Sequence, residues 1–307
     1  MSSSRVAPRR DIHTEITGKL IASIEANPGK PSMPWRRSSG LLFMPVNALT
    51  GNAYNGINIV SLWVAAECLG YNAPVWATYK QWSELGAQVR KGEKSSLVVF
   101  YKEYEVVPEA RGANGPNPHH AEDDGKRRVA RASYVFNAGQ VDGYALPDAP
   151  QSLGPVERLE AVDRFIAATD AQIEHGGERA FYRPSTDHIQ MPDEGLFCGT
   201  NTMTRSESYY ATLTHELTHW TGAKHRLARE FGKRFGDAAY AAEELVAEIA
   251  SAFLCSELGI TQDCRADHAQ YLAQWLTLMK EDSRAIFTAA AKASEAVSFL
   301  KRMQDPG

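Results

Sequence analysis

The segment Thr214-His215-Glu216-Leu217-Thr218-His219-Trp220 places two imidazoles four residues apart, with a carboxylate beside the first. Positions i and i+4 of a helix lie on one face, so both rings can reach a single cation. A catalytic zinc site keeps an open position for water and lowers that water's pKa toward neutrality. Glu216, next to the first ligand and facing the open position, is the candidate general base that accepts the water's proton. The chemistry implied is metal-assisted hydrolysis of a peptide bond, with Zn2+ as the expected ion. Mn2+ or another divalent ion fits the same donors.

Such a site needs a third protein ligand. The run Tyr240-Ala241-Ala242-Glu243-Glu244-Leu245-Val246-Ala247-Glu248-Ile249-Ala250-Ser251 reads as a second helix. Glu244 and Glu248 share one of its faces, and Leu245, Ile249, Ala252 and Phe253 form an apolar face for burial. Side-by-side carboxylates raise each other's pKa unless a cation or donor lies between them. One of the pair is therefore read as a ligand and the other as the acceptor behind a ligating histidine. These residues alone leave the order open. The Glu-x-x-x-acid pattern resembles gluzincin-type metallopeptidases, and that resemblance implies Glu244 as ligand and Glu248 behind it. Tyr209, Tyr210 and Tyr240 are further candidates, as donors to an oxyanion. Phe181 to Pro192, with His188, reads as a strand able to line a substrate cleft, and His225 is a second candidate contact.

The elements that must carry these residues follow from periodicity and punctuation. Helical spacing covers Asp11 to Glu25, Ile59 to Cys68, Tyr79 to Leu85, Val156 to Thr169, Ser206 to Thr221, Ala238 to Leu258, Asp267 to Lys280 and Ser283 to Met303. Gly222 is placed to cap the helix that bears the histidines. Leu97 to Tyr104 and Ala132 to Phe136 alternate like paired strands, and Arg179 to Met191 like a short hairpin. Glu109 to Arg128 reads as a long exposed loop, and Asp142 to Gly154, with Pro147 and Pro150 and with Pro155 just after it, as a linker. The expected fold class is α+β in two domains. Residues 1–145 form an α+β unit, and residues 154–307 form a mostly helical unit with a small sheet.

Bulk properties agree with a globular chain. The 307 residues are 43% hydrophobic and 23% charged. No apolar run reaches the length of about 18 residues expected of a membrane span. Met1 to Asp11 has no apolar core of the kind a secretory signal needs. Cys68, Cys198, Cys255 and Cys264 form no CxxC pair, which fits a reducing, cytoplasmic compartment. Residues 1–150 hold 17 basic against 14 acidic side chains and the remainder 16 against 23. This asymmetry permits a nucleic-acid partner for the first half without requiring one.

The first half carries an ordered series of short strings. They are Met33-Pro34-Trp35-Arg36, Pro45 to Asn58 (PVNALTGNAYNGIN), Trp76-Ala77-Thr78-Tyr79-Lys80-Gln81-Trp82, Gly86 to Lys94 and Val135 to Gln140. Together, over roughly Asp11 to Gly143, they resemble the N-terminal single-stranded-DNA-binding domain of ArdC-type antirestriction proteins, which also occurs fused to some plasmid primases. That family joins this domain to a metallopeptidase-like domain with HELTH and EExxAE, here His215 to His219 and Glu243 to Glu248. The resemblance implies a protein that binds single-stranded DNA entering by conjugation and protects a plasmid from host restriction.

Trp35, Tyr54, Trp76, Tyr79 and Trp82 are candidate stacking faces for unpaired bases. Arg36, Arg37, Lys80, Arg90, Lys91 and Lys94 are candidates to follow phosphates. Asn47, Asn58 and Gln81, in the same strings, complete the candidate DNA contacts. A host restriction enzyme or another protein is a further candidate partner, as the substrate of the hydrolytic site. Two rivals stand beside this reading. One is a dedicated protease whose first half binds protein. The other is a DNA-binding protein whose metal site is structural.

Overall fold

The computed structural model describes residues 11–26, 33, 43–105, 126–146, 155–199, 203–230, 238–260 and 269–304. The chain opens with α1 (Ile12–Glu25), which Asp11 caps by accepting the His13 amide. Ile16, Leu20 and Ile24 bury one stripe of it. β1 (Val46–Asn47) leads to α2 (Ile57–Leu69), which is buried on nearly every side. Gly70, at φ +71, ends α2 in the left-handed conformation that glycine adopts without steric cost. Next come β2 (Val75–Ala77), α3 (Tyr79–Glu84), β3 (Gln88–Val89), β4 (Ser96–Glu105), β5 (Lys126–Asn137) and β6 (Val141–Asp142).

Four of these strands form a sheet in the order β1-β2-β5-β4, and β3 pairs with β6. The antiparallel β4–β5 ladder runs from Ser96↔Val135 to Glu105↔Lys126. It is the pair that alternation predicts, and it is longer than expected. Lys126 to Arg128, read as the end of the loop, belong to β5. The rest of that loop reading, residues 109–125, lies outside the described residues. The strands of two or three residues carry too short a pattern to be seen in the sequence.

The second half runs α4 (Pro155–Ala167), β7 (Gln172–His175), β8 (Phe181–Arg183), β9 (His188–Met191), α5 (Arg205–Thr221), α6 (Ala238–Leu258), α7 (Ala269–Glu281) and α8 (Ala285–Arg302). The expected hairpin is present as β8 and β9, and β7 joins it, so the sheet order is β7-β9-β8. β7 escaped notice because Gln172-Ile173-Glu174-His175 has one apolar residue. Gly222 does end α5, but at φ −78, so its missing Cβ is not what the cap uses. α6 is the central helix: α5, α7 and α8 all pack on it. α8, which also packs on α2 and α5, buries the small residues Ala289, Ala290, Ala293 and Ala296.

The two halves share one core. A single apolar cluster contains Leu20, Trp63 and Val98 together with Trp220, Phe253 and Leu300. The rings of Trp63 and Phe253 meet edge to face with centroids 5.6 Å apart. Polar ties cross the same boundary: Thr17 Oγ1 donates to the Ser283 carbonyl at 2.7 Å and the Gly56 amide to Ser294 Oγ at 3.0 Å. The linker reading of 142–154 begins on β6, and its residues 147–154 lie outside the described ones. Among the described residues no helix is long and apolar enough to cross a membrane.

Asn58 ties α2 to the sheet. Its Nδ2 donates to the Val99 carbonyl at 2.8 Å and its Oδ1 accepts the Val99 amide at 2.7 Å, both buried. Replacing it by alanine leaves two buried backbone groups unpaired, at about 1–3 kcal/mol for each. Asn58→Ala is therefore expected to lower unfolding stability by about 2–4 kcal/mol, read as a lower urea midpoint at unchanged slope.

Candidate metal centre

α5 starts on a capping box, with Thr204 and Glu207 satisfying each other's exposed amides. Thr214 faces α6, where its Oγ1 lies 2.9 Å from Ser251 Oγ, and Ser251 in turn donates to the Ala211 carbonyl. These buried hydroxyls fix how α5 lies on α6. The same crossing brings His215 and His219 of α5 against Glu244 of α6.

His215 Nε2 and His219 Nε2 lie 3.2 Å apart. Glu244 Oε2 is 3.5 Å from the first, and its Oε1 is 3.5 Å from the second. Donors held 2.0–2.2 Å from a tetrahedral ion stand about 3.3 Å from one another. The three side chains thus have the spacing that a divalent cation requires, and all three are nearly buried, at 6%, 9% and 8% exposure. They are the one set of ligating side chains that converges in this way among the described residues.

The charges agree with that geometry. Burial by itself would push the Glu244 carboxyl up, but hydrogen bonding from His215 and the positive charge on His219 outweigh it and hold it at about 2. Burial likewise disfavours a charged His219, yet Glu243, Glu244 and Glu216 raise it to about 9. So negative a pocket favours any cation, and a proton and a metal ion compete for the same imidazole nitrogen. Glu216 is 6% exposed on the same turn of α5.

A second layer of side chains orients the rings. His219 Nδ1 lies 3.2 Å from Glu243 Oε1. That contact puts the proton on Nδ1 and leaves Nε2 as the lone-pair donor. Glu243 is in turn gripped by the Arg229 guanidinium, with Nε to Oε2 at 3.0 Å and Nη2 to Oε1 at 2.9 Å. Arg229 also donates to the Thr218 carbonyl and to Thr221 Oγ1, so it is anchored on α5 itself. The loop leaving α5 returns to place it there, with Ala228 at φ +49. Tyr240, one turn before Glu244, meets the Tyr271 hydroxyl at 3.2 Å and hydrogen-bonds Glu244. Farther out, Arg226 lies on the Trp220 ring at 3.6 Å from its centroid and pairs with Asp187 in the β8–β9 turn. It thereby fixes the small sheet to the end of α5.

Comparison with known proteins bears on both halves. The N-terminal domain of anti-restriction factor ArdC matches residues 10–136. The zincin-like metallopeptidase domain MPTase-PolyVal matches residues 160–292. The crystal structure of antirestriction protein ArdC from plasmid R388, metal-free, superposes with a TM-score of 0.75 at 38% identity, covering 96% of this chain and 98% of that one. The chain belongs to the ArdC family. An Mn(II)-bound structure of the same R388 protein superposes with a TM-score of 0.72, over 97% of this chain and 99% of that one. The protein y4eC of Sinorhizobium fredii is 45% identical over 96% of this chain and 92% of its own length. A DNA primase TraC of Escherichia coli is 39% identical over 95% of this chain, which spans 27% of the primase. The chain thus joins an ArdC-type first domain to a zincin-like second domain, and the expected two-domain α+β architecture is the observed one.

Within this ArdC-family fold, several side chains sit elsewhere than their residue types suggested. Glu243, not Glu248, meets His219 Nδ1. Consecutive residues of a helix point about 100° apart, so Glu243 turns to the outer edge of the ring while Glu244 faces the donor nitrogens. Glu248 lies a turn along α6 and is fully buried. Arg229 lies in a loop ten residues past His219, where no spacing rule marks it. Of the proposed stacking residues, Trp76, Trp82 and Tyr54 are packed, at 1%, 0% and 6% exposure, and offer no face to a base. Tyr79 is exposed. Asn58 is the latch described above. Gln81 forms the capping box of α3, and Asn47 holds its own turn by accepting the Leu49 and Thr50 amides. Arg90 is engaged by Glu93, Asp142 and the Gly139 carbonyl, while Lys91 and Lys94 are exposed. Trp35, Arg36 and Arg37 lie outside the described residues. His188 is buried against Thr186, and exposed His225 sits beside Asp187.

Titration with a chromophoric chelator should show Glu243→Gln weakening divalent-metal affinity about 10–100-fold, the usual effect of losing a carboxylate behind a histidine ligand. His215→Ala should retain no metal by elemental analysis. Glu216→Gln should bind it as wild type does.

Proposed function

We propose that this protein binds single-stranded DNA entering the cell by conjugation and shields it from restriction in the cytoplasm. In the same reading, His215, His219 and Glu244 hold a divalent cation, Zn2+ or Mn2+, for peptide-bond hydrolysis. The observation that carries the catalytic half is the convergence of two imidazole nitrogens and the two oxygens of one carboxylate, 3.2–3.5 Å apart, beside Glu216. Membership in the ArdC family over nearly the whole chain supports the antirestriction half. Presence of the same unit inside a DNA primase supports a role on DNA.

A cation in this site supplies Lewis acidity toward a carbonyl oxygen and toward water. Glu216 accepts a proton from the attacking water and returns it to the leaving amine. Arg229 and Glu243 keep the His219 ring in one tautomer and orientation. Tyr240 commits its one hydroxyl proton to Glu244 and so serves to hold that ligand. The cleaved protein would be a restriction enzyme or another partner met on the incoming strand.

Anisotropy titration with a labelled single-stranded oligonucleotide tests the DNA half. Binding should weaken linearly with log salt, with a slope of about −0.7 for each phosphate contacted. No binding at low salt would overturn it in favour of a protease with a protein-binding first domain. For the hydrolytic half, Glu216→Ala should keep its metal and lose all cleavage of an unfolded protein substrate such as casein. Protection of DNA undiminished in that variant would show that shielding, not proteolysis, blocks restriction.

A further inference from the structure

The geometry points to the path of the single strand: a cleft between the loop 47–58, β4 and the start of α8, so that both halves of the chain grip it. This rests on the proposed binding of single-stranded DNA and adds where the strand lies. The cleft has a volume of about 820 Å3, within the range of sites that enclose a nucleotide-sized group.

Its lining suits an unpaired strand. Phe100 and Tyr101, at the point where β4 leaves the core, are 52% and 51% exposed and border the cleft together. Rings so exposed present faces on which any base can stack. The amides of Asn52 and Asn55 stand on the loop side. Arg284 stands opposite, close enough to Tyr101 for its charge to act on that hydroxyl. None of the described residues that line the cleft is acidic, although the chain carries 37 acidic residues and a net charge of −4. A surface cleared of carboxylates and given a guanidinium complements a phosphate backbone.

The wall is also rigid before anything binds. Asn47 closes its turn on the Leu49 and Thr50 amides and reaches Gln81 and Tyr54, and the Gly56 amide is held by Ser294 of α8. Little ordering is left to oppose binding. The rival groove, of about 530 Å3, holds Tyr79, Arg90 and Lys91. Glu93 and Asp142 line it too, and they already engage Arg90. With Arg90 and Lys91 balanced by Glu93 and Asp142, that groove offers phosphate no net attraction, whereas the other sets a guanidinium beside no lining carboxylate.

Full-length protein and a fluorescein-labelled oligothymidylate provide the test. Phe100→Ala and Tyr101→Ala should each weaken binding about tenfold, the scale of losing one stacked base. Arg284→Glu should weaken it at least as much and flatten the salt dependence, with melting temperature and metal content unchanged. Photocrosslinking of an oligonucleotide carrying 5-iododeoxyuridine should mark peptides of β4 or the start of α8. If these variants bind as wild type while Tyr79→Ala combined with Lys91→Glu loses binding, the cleft is the wrong path although the strand still binds. If wild type binds no single strand, both readings fall together.

Discussion

Charge buried at the crossing of α5 and α6 constrains everything around it. His215, Glu216, His219, Arg229, Glu243 and Glu244 all lie at or below 9% exposure beside an apolar core. Ions placed there are tolerated only when each is paired and hydrogen-bonded. The chain meets that demand in series: Arg229 neutralises Glu243, Glu243 steadies His219, and His219 and His215 face Glu244. At the end of the series negative charge remains, because three carboxylates face one guanidinium and two imidazoles that must be neutral to ligate. A divalent cation balances that remainder, which ties the electrostatics of the fold to the proposed chemistry.

The arrangement also needs a backbone that does not move. Hydroxyls of Thr214 and Ser251 lock the two helices, and α7 and α8 brace α6 from its other sides. That bracing extends beyond the metallopeptidase-like half. Trp63 of α2 packs on Phe253 of α6, and α1 is tied to the start of α8. The first domain is therefore part of the support of the second, and the cleft beside α8 arises because the two are fused over a common core. A ligand in that cleft would touch the element that abuts the helix bearing Glu244.

Much of this was legible in the residues. Every helix expected from periodicity is present, since stripes of apolar side chains at 3.6-residue spacing report local geometry directly. The end of α6 at Leu258 was read to the residue. The HExxH spacing predicted two imidazoles on one face of a helix, and that is where they lie. What escaped falls into two kinds. The two- and three-residue strands of the first half, and β7 with its single apolar residue, carry too little pattern to register. Roles that depend on which neighbour packs where were misread: Trp76 and Trp82 looked like stacking faces, yet a tryptophan ring stacks on a base only if the fold leaves it uncovered. The exposed rings of Phe100 and Tyr101 sit within an apolar run that looked like ordinary strand.

The sequence by itself thus determined the chemistry available: two imidazoles and a base at helical spacing, an acidic second helix, and strings resembling one family along both halves. Those are properties of covalent order and of helix periodicity. Only the tertiary structure decided that Glu243 orients His219, that Arg229 returns from a loop to hold it, and that the halves share a core with a cleft between them. Such contacts depend on the angle and depth at which distant elements cross, and no local spacing encodes either.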